Sequence, residues 1–165
     1  MISLSCQSSV KNRNPLGEYL PAVSGEALTG EHLTLPLQVP SVLLVGFVQE
    51  AQFDADRWLV GLLDNPKDIR ILEVPTVRGF IPGLISGTID SGMRSGIPQE
   101  DWPSVVTLYG EDASTVVDFT GNERPRNMRV LLLDQNGRVC WFHDRGFSAT
   151  HLIDLKRAVD QVNDQ

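Results

Sequence analysis

The residues of this chain that could do covalent or metal chemistry are few and scattered. There are two cysteines, Cys6 and Cys140, and three histidines, His32, His143 and His151. Two cysteines are too few for a zinc site or a disulfide scaffold. The histidines show none of the CxxxC or HxxxH spacings that bring two ligands to one face, so neither a metal nor a cofactor is expected. Cys140 stands in the strand-like run Arg138-Val-Cys-Trp-Phe-His143, where residues two apart share a face. That alternation groups Cys140 with Arg138 and Phe142, and Trp141 with His143 on the opposite side. Cys140 and His143 therefore do not converge as nucleophile and base, and Cys140 reads as a small buried apolar side chain.

Charged and polar residues offer recognition rather than catalysis. Gln52, Asp54, Asp56 and Arg57 stand at the start of an expected helix. Asp54 there reads as an N-cap in an acidic first turn. The same residues would lie at the end of a sheet where loops and helix N-termini converge, a place suited to partner contact. Met93, Arg94, Ile97, Pro98 and Trp102 form an apolar and basic segment in a glycine-rich stretch, either a partner-binding lid or a packing element. His143 completes the partner-binding candidates. Glu111 and Asp112 read as turn and cap rather than catalytic carboxylates.

These residues must be positioned by a chain of 165 residues, 41% hydrophobic and 21% charged, the size of one domain with a substantial core. A net charge of −7 argues against a nucleic-acid partner. No apolar run approaches the roughly 20 residues that a spanning helix needs. Ser5 before Cys6 allows lipidation of Cys6, as in a lipoprotein signal. Against it, Ser3 stands where an apolar residue is usual, and the charged and apolar regions upstream are missing, which favours a loose, unmodified start. The periplasm or a lipid anchor is the expected setting, with the cytoplasm as the alternative.

Residues 1–14 read as a disordered or anchoring segment and 15–165 as one domain, with a helical insertion at about 76–103. Pro15 to Pro36 is turn-rich, with a short hairpin. Val42 to Val48 is an apolar run that suits a strand covered on both faces. Behind Asp54, Ala55, Trp58, Leu59, Leu62 and Leu63 make a helical stripe that Asn65-Pro66 stops. Ile69 to Val74 is a second strand, parallel to the first because a helix separates them.

Ile85, Ile89 and Met93 recur every fourth residue, and Asp90 with Arg94 makes an i,i+4 pair. This predicts a glycine-weakened helix from Pro82 to Arg94, then a loop from Gly96 to Pro103. Ser104 to Tyr109 is a third strand. Asp112 caps a helix that turns Val116, Val117 and Phe119 inward and closes at Gly121. Met128 to Leu133 is a fourth strand. Asp134-Gln-Asn136-Gly137 predicts a two-residue hairpin loop into Arg138 to His143. Ser148 caps a last helix with Leu152, Leu155, Val159 and Val162 on one stripe. The expected core is Leu44, Phe47, Leu62, Ile71, Val106, Leu131, Leu133 and Leu155. The fold class is α/β, a mixed central sheet with helices on both faces.

Leu20-Pro21 through Gly30, Leu33-Thr-Leu35 and Val42-Leu-Leu-Val-Gly-Phe47 resemble the opening of peroxiredoxin and thiol–disulfide oxidoreductase domains. Leu131-Leu-Leu-Asp134-Gln-Asn-Gly137-Arg-Val139 is similar to the LIDxxGxI hairpin of the same thioredoxin-like superfamily. Within it, Phe47 through Trp58, Met93 to Pro98 and Val106 to Gly110 are similar to the mitochondrial ATP-synthase assembly-factor family and its bacterial relatives. The superfamily likeness spans about residues 15 to 162 and implies a thioredoxin-like fold. It also implies redox cysteines near Gln52 and Ala55, or a single peroxidatic cysteine between Phe47 and Trp58; this chain has none there. A copper-chaperone relative uses CxxxC with a distant histidine, of which only His143 could stand here. The usual cis-proline position holds Met128.

The implied function is a non-redox binding domain with a protein partner, such as an envelope assembly factor or chaperone. Its contact surface would join the turn Gln49 to Asp56 and the segment around Met93-Arg94. An enzyme using Arg94, His143 or Asp54 in the same cleft, or a thiol enzyme using Cys140, are the alternatives.

Overall fold

A computed structural model describes residues 9–64, 69–79 and 83–164, without the side chains of residues 84 and 85. Cys6, the Asn65-Pro66 stop and the Pro82 helix start lie outside the described residues. The elements in chain order are β1 (Val23–Ala27), β2 (His32–Leu35), β3 (Ser41–Gly46), α1 (Gln52–Leu62), β4 (Arg70–Val77), α2 (Gly83–Gly96), β5 (Val106–Tyr109), α3 (Gly110–Thr120), β6 (Arg129–Leu133), β7 (Val139–His143) and α4 (Ala149–Asn163). Among the described residues the strands form one mixed sheet of order β2-β1-β5-β4-β3-β6-β7. β3 runs parallel to β4 and antiparallel to β6, and the outer hairpins β1–β2 and β6–β7 close the two sides.

The apolar run of β3 is covered from both sides. Val42 and Leu44 pack with Val130 and Leu132 beneath α1 and α4, through Ala55, Trp58, Leu62, Leu155 and Val159. Leu43 and Val45 pack with Leu72, Val74, Leu131 and Leu133 beneath α3, through Ala113, Val116 and Phe119. Each fully buried aliphatic side chain of this kind contributes roughly 1.5–3 kcal/mol. At Gly61, α1 and α4 touch so closely that a Cβ would collide with Leu152. Of the expected core, Phe47 and Ile71 are only half-buried.

The structure departs from the expectations at several points, each with a local cause. A 3-10 turn, Gln49–Ala51, runs straight into α1, so the N-cap position is Ala51 and Asp54 falls inside the first turn. Leu59 is half-buried and Leu63 is 80% exposed, because the buried stripe of α1 is only Ala55, Trp58 and Leu62 wide. α3 likewise begins at Gly110, and the Asp112 carboxylate accepts a hydrogen bond from Ser24 N at 2.8 Å instead of capping. α2 extends to Gly96 and a further 3-10 helix, Gln99–Ser104, occupies the expected loop.

In the β6–β7 turn only Gly137 has positive φ (81°), and its N–H donates to Asp134 O at 3.0 Å. Leu133 pairs with Val139 while Leu132 pairs with Trp141, so Cys140 is an extra, bulged residue. The bulge resets the alternation, and Cys140 joins Trp141 on the α1/α4 side instead of sharing a face with Phe142. Ser148 occupies the N-cap position of α4 but makes no side-chain cap bond. Residues 9–14, the described part of the segment expected to be loose, lie against the end of α3: Val10 N donates to Asn122 Oδ1 at 2.6 Å and Asn122 N to Val10 O at 2.9 Å.

Candidate functional site

β3 ends at Gly46, and the chain turns through Gln49–Ala51 into α1 at the carboxyl end of the parallel strands. Two other segments reach the same place, the lead into β6 and the loop between β7 and α4. Asp54 joins all three. Its carboxylate is buried and accepts from Phe147 N at 2.6 Å and from Met128 N at 2.9 Å. The Asp–backbone pairs are charge-assisted and fix both loops to the first turn of α1.

Outside this clamp lies an open groove of about 580 Å³. Glu50, Phe53, Asp54 and Arg57 form one wall, Arg126 and Asn127 a second, and Arg145, Gly146 and Phe147 a third. Arg57, Arg126 and Arg145 are all exposed. Phe53 stands at the rim, 73% exposed.

The expected candidates divide. Asp54 and Arg57 line the groove, while Gln52 and Asp56 do not: Gln52 Nε2 donates to Asp56 Oδ1 and to Glu73 Oε2, both at 3.0 Å, tying that side of α1 to β4. Burial, reinforced by the charges of Asp56 and Asp101, raises the Glu73 pKa above its ordinary value, against the Gln52 hydrogen bond. Arg94 Nε donates to Leu28 O at 2.7 Å, its guanidinium lies 5.9 Å from the Trp102 ring, and Trp102 Nε1 donates to Ile97 O at 3.0 Å. Met93, Arg94 and Trp102 are absent from the groove walls. The sheet order explains this: Leu28 follows β1, which lies beyond β5 and β4, whereas the groove sits on the β3–β6–β7 side.

Asp90 and Arg94 were expected to pair. Instead Asp90 accepts from Tyr109 OH at 2.8 Å, which together with the Arg94 bond holds the glycine-rich α2 to the sheet.

His143 is buried, and its Nε2–H donates to Gly146 O at 2.8 Å. Its ring packs against Trp58 and Trp141, which also touch each other, with the His151 ring 4.0 Å away centroid to centroid. Burial pushes its pKa below the ordinary value, with His151 adding to the shift and the Gly146 bond, Asp144 and Asp54 opposing it. His143 braces the loop behind the groove. Cys140 is half-buried rather than buried, and its thiol pKa is raised, chiefly by burial. Among the described residues no group of three His, Cys, Asp or Glu side chains is placed to hold a metal ion.

Arg129 is the residue that sequence reasoning missed. It is fully buried, and its guanidinium donates to the carbonyls of Gly121, Glu123, Arg124 and Asn127 and to Asn12 Oδ1. The guanidinium carbon also lies 5.0 Å from the Phe47 ring centroid. Burial lowers its pKa; Asp144 and Glu123 oppose the shift. It thereby shapes the 121–127 segment that presents Arg126 and Asn127. The only signal was an arginine opening an otherwise apolar strand.

No protein-family model matches this chain, and no curated protein matches it in sequence. Solved structures do. Copper-bound ScoI of Arabidopsis thaliana is similar at 13% identity and a TM-score of 0.55, over 86% of this chain and 98% of that one. BsSco, a member of the Sco family of cytochrome c oxidase assembly proteins, is similar at 11% identity and a TM-score of 0.59, over 93% and 99%. The thioredoxin domain of a thiol–disulfide oxidoreductase from Bacteroides vulgatus is similar at 18% identity and a TM-score of 0.52, over 90% and 98%. The fold is thioredoxin-like.

At these identities the likeness is one of fold. The stretch from Val48 to Trp58 of this chain holds neither cysteine nor histidine.

Proposed function

We propose that residues 15–165 form a non-redox thioredoxin-like domain that binds a protein partner in the groove at the carboxyl end of β3, in the manner of an assembly factor or chaperone. The observation that carries this reading is the state of the first turn of α1. Of the two positions where the resemblance implies redox cysteines, Gln52 is tied to Glu73 and Ala55 is fully buried. Beside them an open groove presents charged and aromatic side chains. The likeness to a Sco assembly protein supports the same reading. Arg94 and Trp102 are spent on packing α2, so the contact surface narrows to the side of Asp54 and Arg57.

The test is enzymatic and physical together. Insulin reduction and peroxide consumption should both stay at background in the wild type and in Cys140→Ser. Turnover in the wild type that disappears in Cys140→Ser overturns the reading.

A further inference from the structure

The groove's charge is at odds with the rest of the molecule. The chain carries 21 acidic residues against 14 basic ones, yet three arginines from three separate segments meet here. Among the described residues no carboxylate pairs with Arg57, Arg126 or Arg145, and none of the three guanidinium groups makes a hydrogen bond. Of the two acids in the walls, Asp54 has both carboxylate oxygens taken by backbone N–H groups. The other, Glu50, is exposed.

An apolar track begins at the same place. Phe53, Arg57 and Val60 are four and three residues apart on one face of α1. Phe53 is 73% exposed and Val60 67%. Phe53 and Arg57 belong to both features, so the cationic groove and the apolar face are continuous.

We propose that this surface takes an acidic peptide segment of a partner protein. Its carboxylates would sit against Arg57, Arg126 and Arg145, and its apolar side chains against Phe53 and Val60. This rests on the binding function proposed above and names the chemistry of its ligand. Guanidinium forks suit carboxylates, and arginine beside an aromatic side chain is the composition that concentrates binding energy at interfaces. A second copy of this chain is disfavoured, because two molecules of net charge −7 repel. A single small anion would leave Phe53 and Val60 uncovered.

Fluorescence anisotropy on the full chain tests this with three labelled peptides of equal length. One alternates Glu with Phe and Leu, one replaces each Glu by Lys, and one replaces Phe and Leu by Ser. The first should bind, more weakly as salt rises, and the other two should bind much less. Arg126→Glu and Arg145→Glu should each weaken the first peptide roughly tenfold, and Phe53→Ala by a similar factor.

Equal binding of the Lys peptide, no binding of the acidic one, or indifference to both arginine reversals overturns the proposal. Because these side chains are exposed, the melting temperature should not move; if a reversal does unfold the chain, Arg145→Gln and Arg57→Gln carry the same comparison. A partner lost on Phe53→Asp but retained by both arginine reversals would sink the acidic-segment inference while leaving the binding function standing. Thiol turnover would sink the function instead.

Discussion

Two regions of this molecule present arginines beside an aromatic ring, and the fold treats them oppositely. In α2 and the helix after it, Arg94 is committed: its Nε bonds Leu28 O and its guanidinium faces Trp102. Around the first turn of α1, Arg57, Arg126 and Arg145 line an open groove beside Phe53 and have no internal acceptor among the described residues. Residue type does not separate the two regions. What separates them is whether a carbonyl or carboxylate stands within reach, because each N–H bonded inside the fold pins the guanidinium in place and is one donor fewer for a partner. A charge that the fold uses belongs to stability; one that it leaves in water is available for binding.

Breaking the committed charges should cost stability in proportion to their burial, and Arg129 should cost most. Arg129→Ala leaves several carbonyls without a donor, and urea denaturation should show a loss of about 3 kcal/mol or more. Asp54→Ala frees Met128 N and Phe147 N and should cost about 2–3 kcal/mol. Asp54→Asn, which retains one acceptor oxygen, should cost less. A stable Asp54→Ala protein would mean that the clamp does not hold the groove together.

Arg94 and Arg145 make the direct contrast. Arg94→Ala should lower stability by about 1 kcal/mol and leave acidic-peptide binding unchanged. Arg145→Ala should weaken that binding and move stability by less than about 0.5 kcal/mol. A swapped result would erase the distinction between the regions.

The titrating groups give the smallest effects, and their signs differ. His143 has a folded pKa below its ordinary value near 6.5, so the unfolded chain binds the extra proton first. Its contribution is fully present above pH 6.5 and is lost as the pH falls through the folded value. His143→Phe should flatten that slope in thermal melts across this range. Glu73 is shifted the other way, above 4.5, so its contribution is lost as the pH rises through the folded value. Glu73→Gln should therefore be neutral or slightly stabilising at pH 7.

Much of the framework was legible along the chain. The apolar run at β3 has no polar face, which only a strand covered on both sides tolerates, and the helix behind it forced β4 to run parallel. The stripes of α3 and α4 and the Asn136-Gly137 turn are equally local signals. Asp54 misled for the same reason. An aspartate ahead of an apolar stripe looks like a cap wherever it stands, and only Met128 N and Phe147 N, distant in sequence, drew it inward. The bulge at Cys140 depends on how the β6–β7 turn closes, and one extra residue there reversed which face the cysteine takes.

The sequence by itself determined where strands and helices form and that no cysteine stands between Phe47 and Trp58. Backbone geometry sets those periodicities within a few neighbouring residues. Only the tertiary structure decided which charges are consumed and which remain. Arg57, Arg126 and Arg145 are far apart along the chain and meet because β6 pairs with β3, while Asn12 and the 121–127 carbonyls enclose Arg129. A charge is buried or left in water according to acceptors that arrive from elsewhere in the fold, and no local pattern records their arrival.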